Sequence, residues 1–467
     1  MATATIEVPP PSAPPAAATS IADLAAATPS SRKRHIDALR ALAITAVVLG
    51  HWLLMHVERV DGRLTGDTAL PYLSDVHHLT WVFQVMPLFF LVGGYANAIS
   101  WGKHSERGGD AASWMLERSR RVFPPLTIIL LAIAAGALAG RLFGVYEPLL
   151  ADVIAIVVLP LWFLVVYFAV IALTPTMLHL HQRFGVRVML ALLAVVVLGD
   201  VLRFATGNEY TAAASSVAGW FLIHQAGLAW QRGMFDRPLR GKRPLALLAG
   251  AFATLVALTW AGPYPVSMVS VPGQFMQNNQ PPTLAMMTLA VAQLALALAV
   301  ADPLERLMQR RWAWRAVIGI NGVALTLFLW HMVAAFLGAV VFDAAGWLPT
   351  STPGSGQWWL ERIPWVGALL VIMAIIVATV GRTEARILAK KAALPRAGET
   401  RNGAVASFTV VFGAYLAAVA GMLWIASAGP GPHGPFMVPT GALFIVLTAS
   451  FALAFSRRQA DRRSLSR

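Results

Sequence analysis

The run Arg40-Ala-Leu-Ala-Ile-Thr-Ala-Val-Val-Leu-Gly-His51 decides how the rest of the chain is read. Everything between the arginine and the histidine is apolar, Gly or Thr. On an α-helix, eleven steps of about 100° end only ~20° past three full turns, so the two side chains share one face. They stand about 16 Å apart along the axis, at ~1.5 Å per residue, which is roughly half the depth of a bilayer core. A cation at the membrane edge and an imidazole deep inside, on one line, is costly in lipid and needs a purpose.

The membrane setting follows from composition. The chain has 467 residues, of which 57% are hydrophobic and 12% charged. Soluble domains carry about 25% charged residues. With long apolar runs repeated along the chain, the class is an all-α polytopic membrane protein. There is no cysteine, which removes thiolate metal sites, disulfides and a cysteine nucleophile. The net charge of +14 would raise nucleic acid as a partner for a soluble protein. Here the position of the charge matters more, and the partner is the bilayer.

Apolar spans are expected near 37–56, 79–100, 125–140, 152–175, 188–205, 213–230, 245–261, 283–300, 317–342, 365–381, 406–427 and 439–455. With one kinked span across 152–175, 31 of the 36 Lys and Arg residues fall on the side that holds both termini. Only Arg59, Arg63, Arg141, Arg203 and Arg362 fall on the other. The positive-inside rule then predicts twelve helices with both termini cytoplasmic. Residues 1–31, rich in Pro, Ala, Ser and Thr, read as a disordered tail rather than a signal peptide. The remainder divides into a ten-helix core at 32–382, a basic cytoplasmic loop at 383–405, two further helices at 406–456 and a basic tail at 457–467. The loop 343–364 carries Trp347, Trp358 and Trp359, which suit an interfacial belt or a sugar-binding rim.

Few ionisable groups lie inside the spans. His51 and Asp37 are on the first helix, His224 beside Gln225 on the sixth, and Asn321 and His331 on the ninth. Asp200 and Arg203 are spaced for an i,i+3 pair on the fifth. A neutral imidazole in a low-dielectric site can accept a proton, which suits a general base acting on a hydroxyl. One such histidine can be simple packing; three each need their own partner. Arg118, Arg120 and Arg121, just before Pro124 and Pro125, make a dense cationic cluster at a cytoplasmic helix mouth. They serve as membrane anchors or as guanidinium forks for phosphates. Gly93-Gly94 lets another backbone, or a slender ligand chain, lie close.

In order, Asp37-x-x-Arg40…His51, Pro87-LFFLV-Gly93-Gly94, Arg118-x-x-Arg121-x-x-Pro124, Pro160-LWF and Phe328-LW-His331 resemble the motifs of membrane acyltransferase family 3. That family includes O-antigen and nodulation-factor acetyltransferases. Gly93 stands where most members have Ser, and Phe328 where they have Tyr. The resemblance covers about 33–380. It implies an O-acyltransferase of the bacterial cytoplasmic membrane that takes an acyl group, acetyl by default, from cytoplasmic acyl-CoA. The acceptor would be a hydroxyl on a cell-envelope carbohydrate, glycolipid or other lipid-linked molecule. No metal is required. Arg40, Arg118 and Arg121 would hold the coenzyme phosphates, with Gly93 and Gly94 beside its arm. His51 would be base or transient acyl carrier, Asp37 would orient Arg40, and His331 would assist. The competing reading is a proton-coupled transporter, for which twelve helices and buried histidines are also suited.

Overall fold

In a computed structural model the described residues are 20–60, 63–382 and 407–465. The chain folds as an all-helical polytopic membrane protein around one continuous apolar core. In order, the helices are α1 (Ile21–Ala26), α2 (Arg34–Leu54), α3 (Thr80–Phe83), α4 (Met86–Glu106), α5 (Ala111–Leu142), α6 (Glu147–Val158), α7 (Leu161–Phe184), α8 (Val186–Thr206) and α9 (Ser215–Gln231). There follow α10 (Arg243–Val256), α11 (Leu284–Ala299), α12 (Ala301–Leu307), α13 (Arg311–Gly322), α14 (Ala324–Ala344), α15 (Gly356–Ile376), α16 (Phe408–Ser427) and α17 (Thr440–Leu465).

Among the described residues, ten helical segments are long and apolar enough to cross a bilayer, or eleven if the bent pair α11–α12 counts as one. The remaining expected span, the sixth at 213–230, falls on α9. That helix has 17 residues, about 26 Å of rise against a ~30 Å hydrocarbon core. It is buried along most of its length by its neighbours, α4 foremost. The continuous segment from Glu147 to Phe184 is broken at Pro160, which ends α6 and precedes α7.

Three features depart from the sequence reading. First, one short hairpin accompanies the helices. Strands β1 (Met55–Val60) and β2 (Arg63–Thr68) form an antiparallel hairpin on the end of α2, with Val60 opposite Arg63. Arg59 fixes the hairpin to Asp343 through two bonds of 2.7 Å. Second, residues 20–31 of the expected tail are ordered; residues 1–19 lie outside the described residues. Ser20 and Asp23 make a reciprocal capping box for α1. The helix packs on α13, where Trp314 Nε1 donates to Thr28 Oγ1 at 3.1 Å. The loop expected at 383–405 also lies outside the described residues.

Third, Asp200 and Arg203 do not pair. The Asp200 carboxylate accepts from Tyr264 Oη (2.9 Å) and the Leu284 amide (2.8 Å). Arg203 reaches the carbonyls of Phe275 and Gln277. Both side chains hold down the irregular segment between α10 and α11, because a buried loop must have its polar backbone satisfied. The tryptophans of 343–364 are not one belt either. Trp347 is exposed, whereas Trp358 is fully buried under the Arg362 guanidinium, 4.4 Å above its ring.

Candidate active site

Helix α2 carries both halves of the opening motif. Arg40 Nε donates to Asn321 Oδ1 at 2.7 Å, and Asn321 Nδ2 donates to the Asp37 carbonyl at 2.8 Å. Asn321 lies in the last turn of α13, so one amide ties the N-terminal end of α2 to the start of the α13–α14 connection. Asp37 is expected to orient Arg40, but their contact is long, at 3.5 Å. Its carboxylate is instead gripped by Arg32, at 2.7 and 3.0 Å. That hydrogen bond raises the Arg32 pKa above its ordinary value. Asn321 therefore makes the shorter bond to Arg40, beside the longer one from Asp37, and its only signal in the sequence is a lone amide ahead of an apolar run.

Three turns on, His51 meets His331 of α14. His331 Nε2 lies 3.2 Å from His51 Nδ1, with the ring centroids 5.0 Å apart. Carbonyl oxygens fix the tautomers, since a carbonyl can only accept. His331 Nδ1 lies 2.7 Å from the Phe328 carbonyl and must carry its proton there, which leaves Nε2 as an acceptor. His51 Nδ1 lies 2.9 Å from the Val47 carbonyl and is likewise a donor, shared with His331 Nε2. The remaining nitrogen, His51 Nε2, then holds a lone pair, and among the described residues nothing is bonded to it. Two tryptophans brace the pair: Trp52 Nε1 donates to the His331 carbonyl and Trp365 Nε1 to the Trp52 carbonyl, both at 2.9 Å.

Between these two ends lies a cavity of about 630 Å³, within the ordinary range for small-molecule sites. Its basic lining is Arg40, Arg118, Arg120 and Arg121, with Glu117 and Asn321 beside them. The long capped helix α5 presents the cluster: Asp110 and Ser113 cap its start, and Arg118 lies 5.3 Å over the Trp114 ring. Arg118 Nε is buried without a hydrogen-bond partner, so the cavity wall holds a donor still to be satisfied. The deep end is aromatic. Phe163 lies 4.9 Å from both Phe89 and Phe328, and Phe328 lies 6.0 Å from His331. The expected cleft from arginine to imidazole is thus present on the right side of α2 but stops one layer of rings short. Neither His51 nor His331 lines it.

Gly93 and Gly94 are not part of this site. Neither lines the cavity. A Cβ on Gly94 would collide with the His224 carbonyl, and one on Gly227 with the Leu91 carbonyl. The two glycines let α4 and α9 cross at backbone contact, which is the small-residue packing of membrane helices. Around Gly93 there is open space. The third histidine, His224, is fully buried at that crossing. Its Nε2 accepts from Asn97 Nδ2 at 3.2 Å, and neither residue lines the cavity.

A helical membrane protein with a guanidinium-lined cavity backed by paired imidazoles has the parts of a group-transfer enzyme. A family model described as an acyltransferase domain matches residues 34–381, so the chain belongs to acyltransferase family 3 and is an acyltransferase. It is similar to "Nodulation protein 10" of Rhizobium leguminosarum bv. viciae, with 25% identity over 386 residues, covering 73% of this chain and 90% of that one. No solved structure matches it.

Proposed function

We propose that the protein moves a short acyl group, acetyl by default, from acyl-CoA on the cytoplasmic side of a bacterial inner membrane to a hydroxyl of an envelope carbohydrate, glycolipid or lipid-linked acceptor. One observation carries this reading: a cavity ringed by four guanidinium groups points at the one imidazole pair whose tautomers leave His51 Nε2 free. Guanidinium forks suit phosphates, and the unsatisfied Arg118 Nε fits an anion arriving there. The coenzyme arm would lie along α2 from Arg40 past Ile44 toward Phe328, whose ring must turn aside for the thioester to meet His51. The topology that goes with this is twelve spans with both termini in the cytoplasm, supported by the charge distribution.

In the chemical step, His51 Nε2 takes the proton of the acceptor hydroxyl as its oxygen attacks the thioester carbonyl. The carbon–sulfur bond breaks, the ester forms, and the departing thiolate takes up the proton from His51. While His51 is charged, its Nδ1–H strengthens its bond to His331 Nε2, much as the third member of a hydrolase triad supports its histidine. The same Nε2 would carry the acyl group in a two-step route. Brief incubation with labelled acyl-CoA and no acceptor separates the two, because only the two-step route leaves label on the protein.

The test uses membranes holding the full chain and radiolabelled acetyl-CoA, followed by mass spectrometry of envelope glycans and lipids with and without the gene. An acetyl increment that depends on the gene and vanishes in His51→Ala supports the reading. Full transfer by a well-folded His51→Ala protein ends it. Family membership leaves the carrier reading without ground of its own.

A further inference from the structure

The family match ends at residue 381, yet the chain continues into α16 and α17. These helices are not an appendage. Helix α16 packs on α7 and α5, and α17 packs on α16 and α5. Tyr415 stands edge-on to the stacked pair Phe123–Phe168, at 5.4 and 5.7 Å, inside the core. Its hydroxyl donates to the Met115 carbonyl at 2.9 Å. One turn along α5, Arg457 Nη1 donates to Ser119 Oγ at 2.6 Å. Ser119 is completely buried and gives its own proton to the Leu116 carbonyl at 2.7 Å, so its oxygen is left to accept. Arg457 is itself only 5% exposed.

The placement is specific. Ser119 sits between Arg118 and Arg120, and Arg118, Arg120, Arg121 and Leu116 all line the cavity. Two buried bonds from the C-terminal hairpin therefore grip the one turn of α5 that presents the cationic cluster. A hairpin needed only to fill the membrane would require apolar contact there, not a buried guanidinium bonded to the helix turn that carries three others. Like charges held close must be fixed by bonds, and they favour an anion.

We propose that the C-terminal hairpin is a working part of the donor site, with Arg457 as the positioning residue that holds Arg118, Arg120 and Arg121 toward the phosphates. This rests on the acyl-CoA reading above. In that role Arg457 acts through Ser119 and affects donor binding, not the chemical step.

The experiment measures CoA binding by calorimetry to the purified full-length protein in lipid nanodiscs. It compares wild type with Arg457→Ala, Arg457→Lys and Ser119→Ala, each followed by thermal unfolding and by turnover. Arg457→Ala should weaken CoA binding about tenfold, the effect of losing one hydrogen bond to a charged group. The donor KM should rise in proportion, with kcat and the acceptor KM nearly unchanged. Arg457→Lys should recover most of the loss, and Ser119→Ala should lose about threefold. If Arg457→Ala does not fold, Ser119→Ala decides. CoA binding unchanged in the folded variants overturns this inference alone. A kcat that falls with donor KM unmoved overturns it too. A wild-type protein that does not bind CoA overturns the donor reading and this one together.

Discussion

His51 and Asn321 differ in how visible their roles are before folding. The histidine stands out because an imidazole inside an apolar run has a cost that must be met, and its spacing from Arg40 aligns the two on one face. What spacing cannot provide is the partner, since His331 lies 280 residues away and is joined only by tertiary packing. Asn321 is harder still. A neutral amide at a helix end is common, and only the folded chain brings it to both Arg40 and the Asp37 carbonyl. Its loss leaves Arg40 with the 3.5 Å contact to a carboxylate already held by Arg32. Asn321→Ala should therefore raise the donor KM by about tenfold, as for one charged hydrogen bond, with kcat within about twofold. Steady-state kinetics with the donor varied at saturating acceptor checks this, and an effect confined to kcat would place Asn321 elsewhere in the cycle. His51→Ala should behave in the opposite sense. In the proposed mechanism it removes the base, so kcat should fall by at least about a hundredfold while CoA binding stays near wild type.

Among the elements, the α4–α9 crossing shows which of its two uses a glycine pair is put to. Gly94 makes the close approach, and its partner is the backbone of α9. The matching glycine, Gly227, lies 133 positions further on, where nothing local marks it as a complement. The two neighbours should then respond differently to a side chain. Gly94→Val drives a branched side chain into the His224 carbonyl, and overpacking at a backbone crossing should cost about 3 kcal/mol or more. Gly93→Ala meets open space and should be neutral or gain slightly through helix propensity, by less than about 1 kcal/mol. Thermal unfolding in detergent compares them. Equal destabilisation would mean the crossing is not where these residues act. The hairpin β1–β2 is hard to read in the sequence for a related reason: after a long apolar helix, six residues of mixed character carry too little period-2 signal to stand out.

At the scale of the whole molecule, the helix content and the membrane class follow from composition, whereas the orientation rests on charge. The two ends differ in their bonding. One gathers Arg34, His35, Glu305, Met308 and the α5 arginines; the other gathers Arg59 with Asp343 and Arg362 with the Met55 carbonyl. The first end is the one the positive-inside rule assigns to the cytoplasm, and it is where the cavity arginines lie. This coincidence matters for the proposed mechanism, because CoA esters are made and kept in the cytoplasm, so a cavity mouth on the opposite side would never meet such a donor. The absence of cysteine makes the orientation directly testable. Phe143, 88% exposed after α5, is expected outside, and Gln309, exposed after α12, inside. In intact spheroplasts, Phe143→Cys should react with a membrane-impermeant maleimide while Gln309→Cys stays unlabelled until the membrane is opened, and neither should change activity by more than about twofold, as surface substitutions remote from the site. The reverse labelling would put the arginines on the wrong face of the membrane and remove acyl-CoA as the donor, whatever the local geometry around His51.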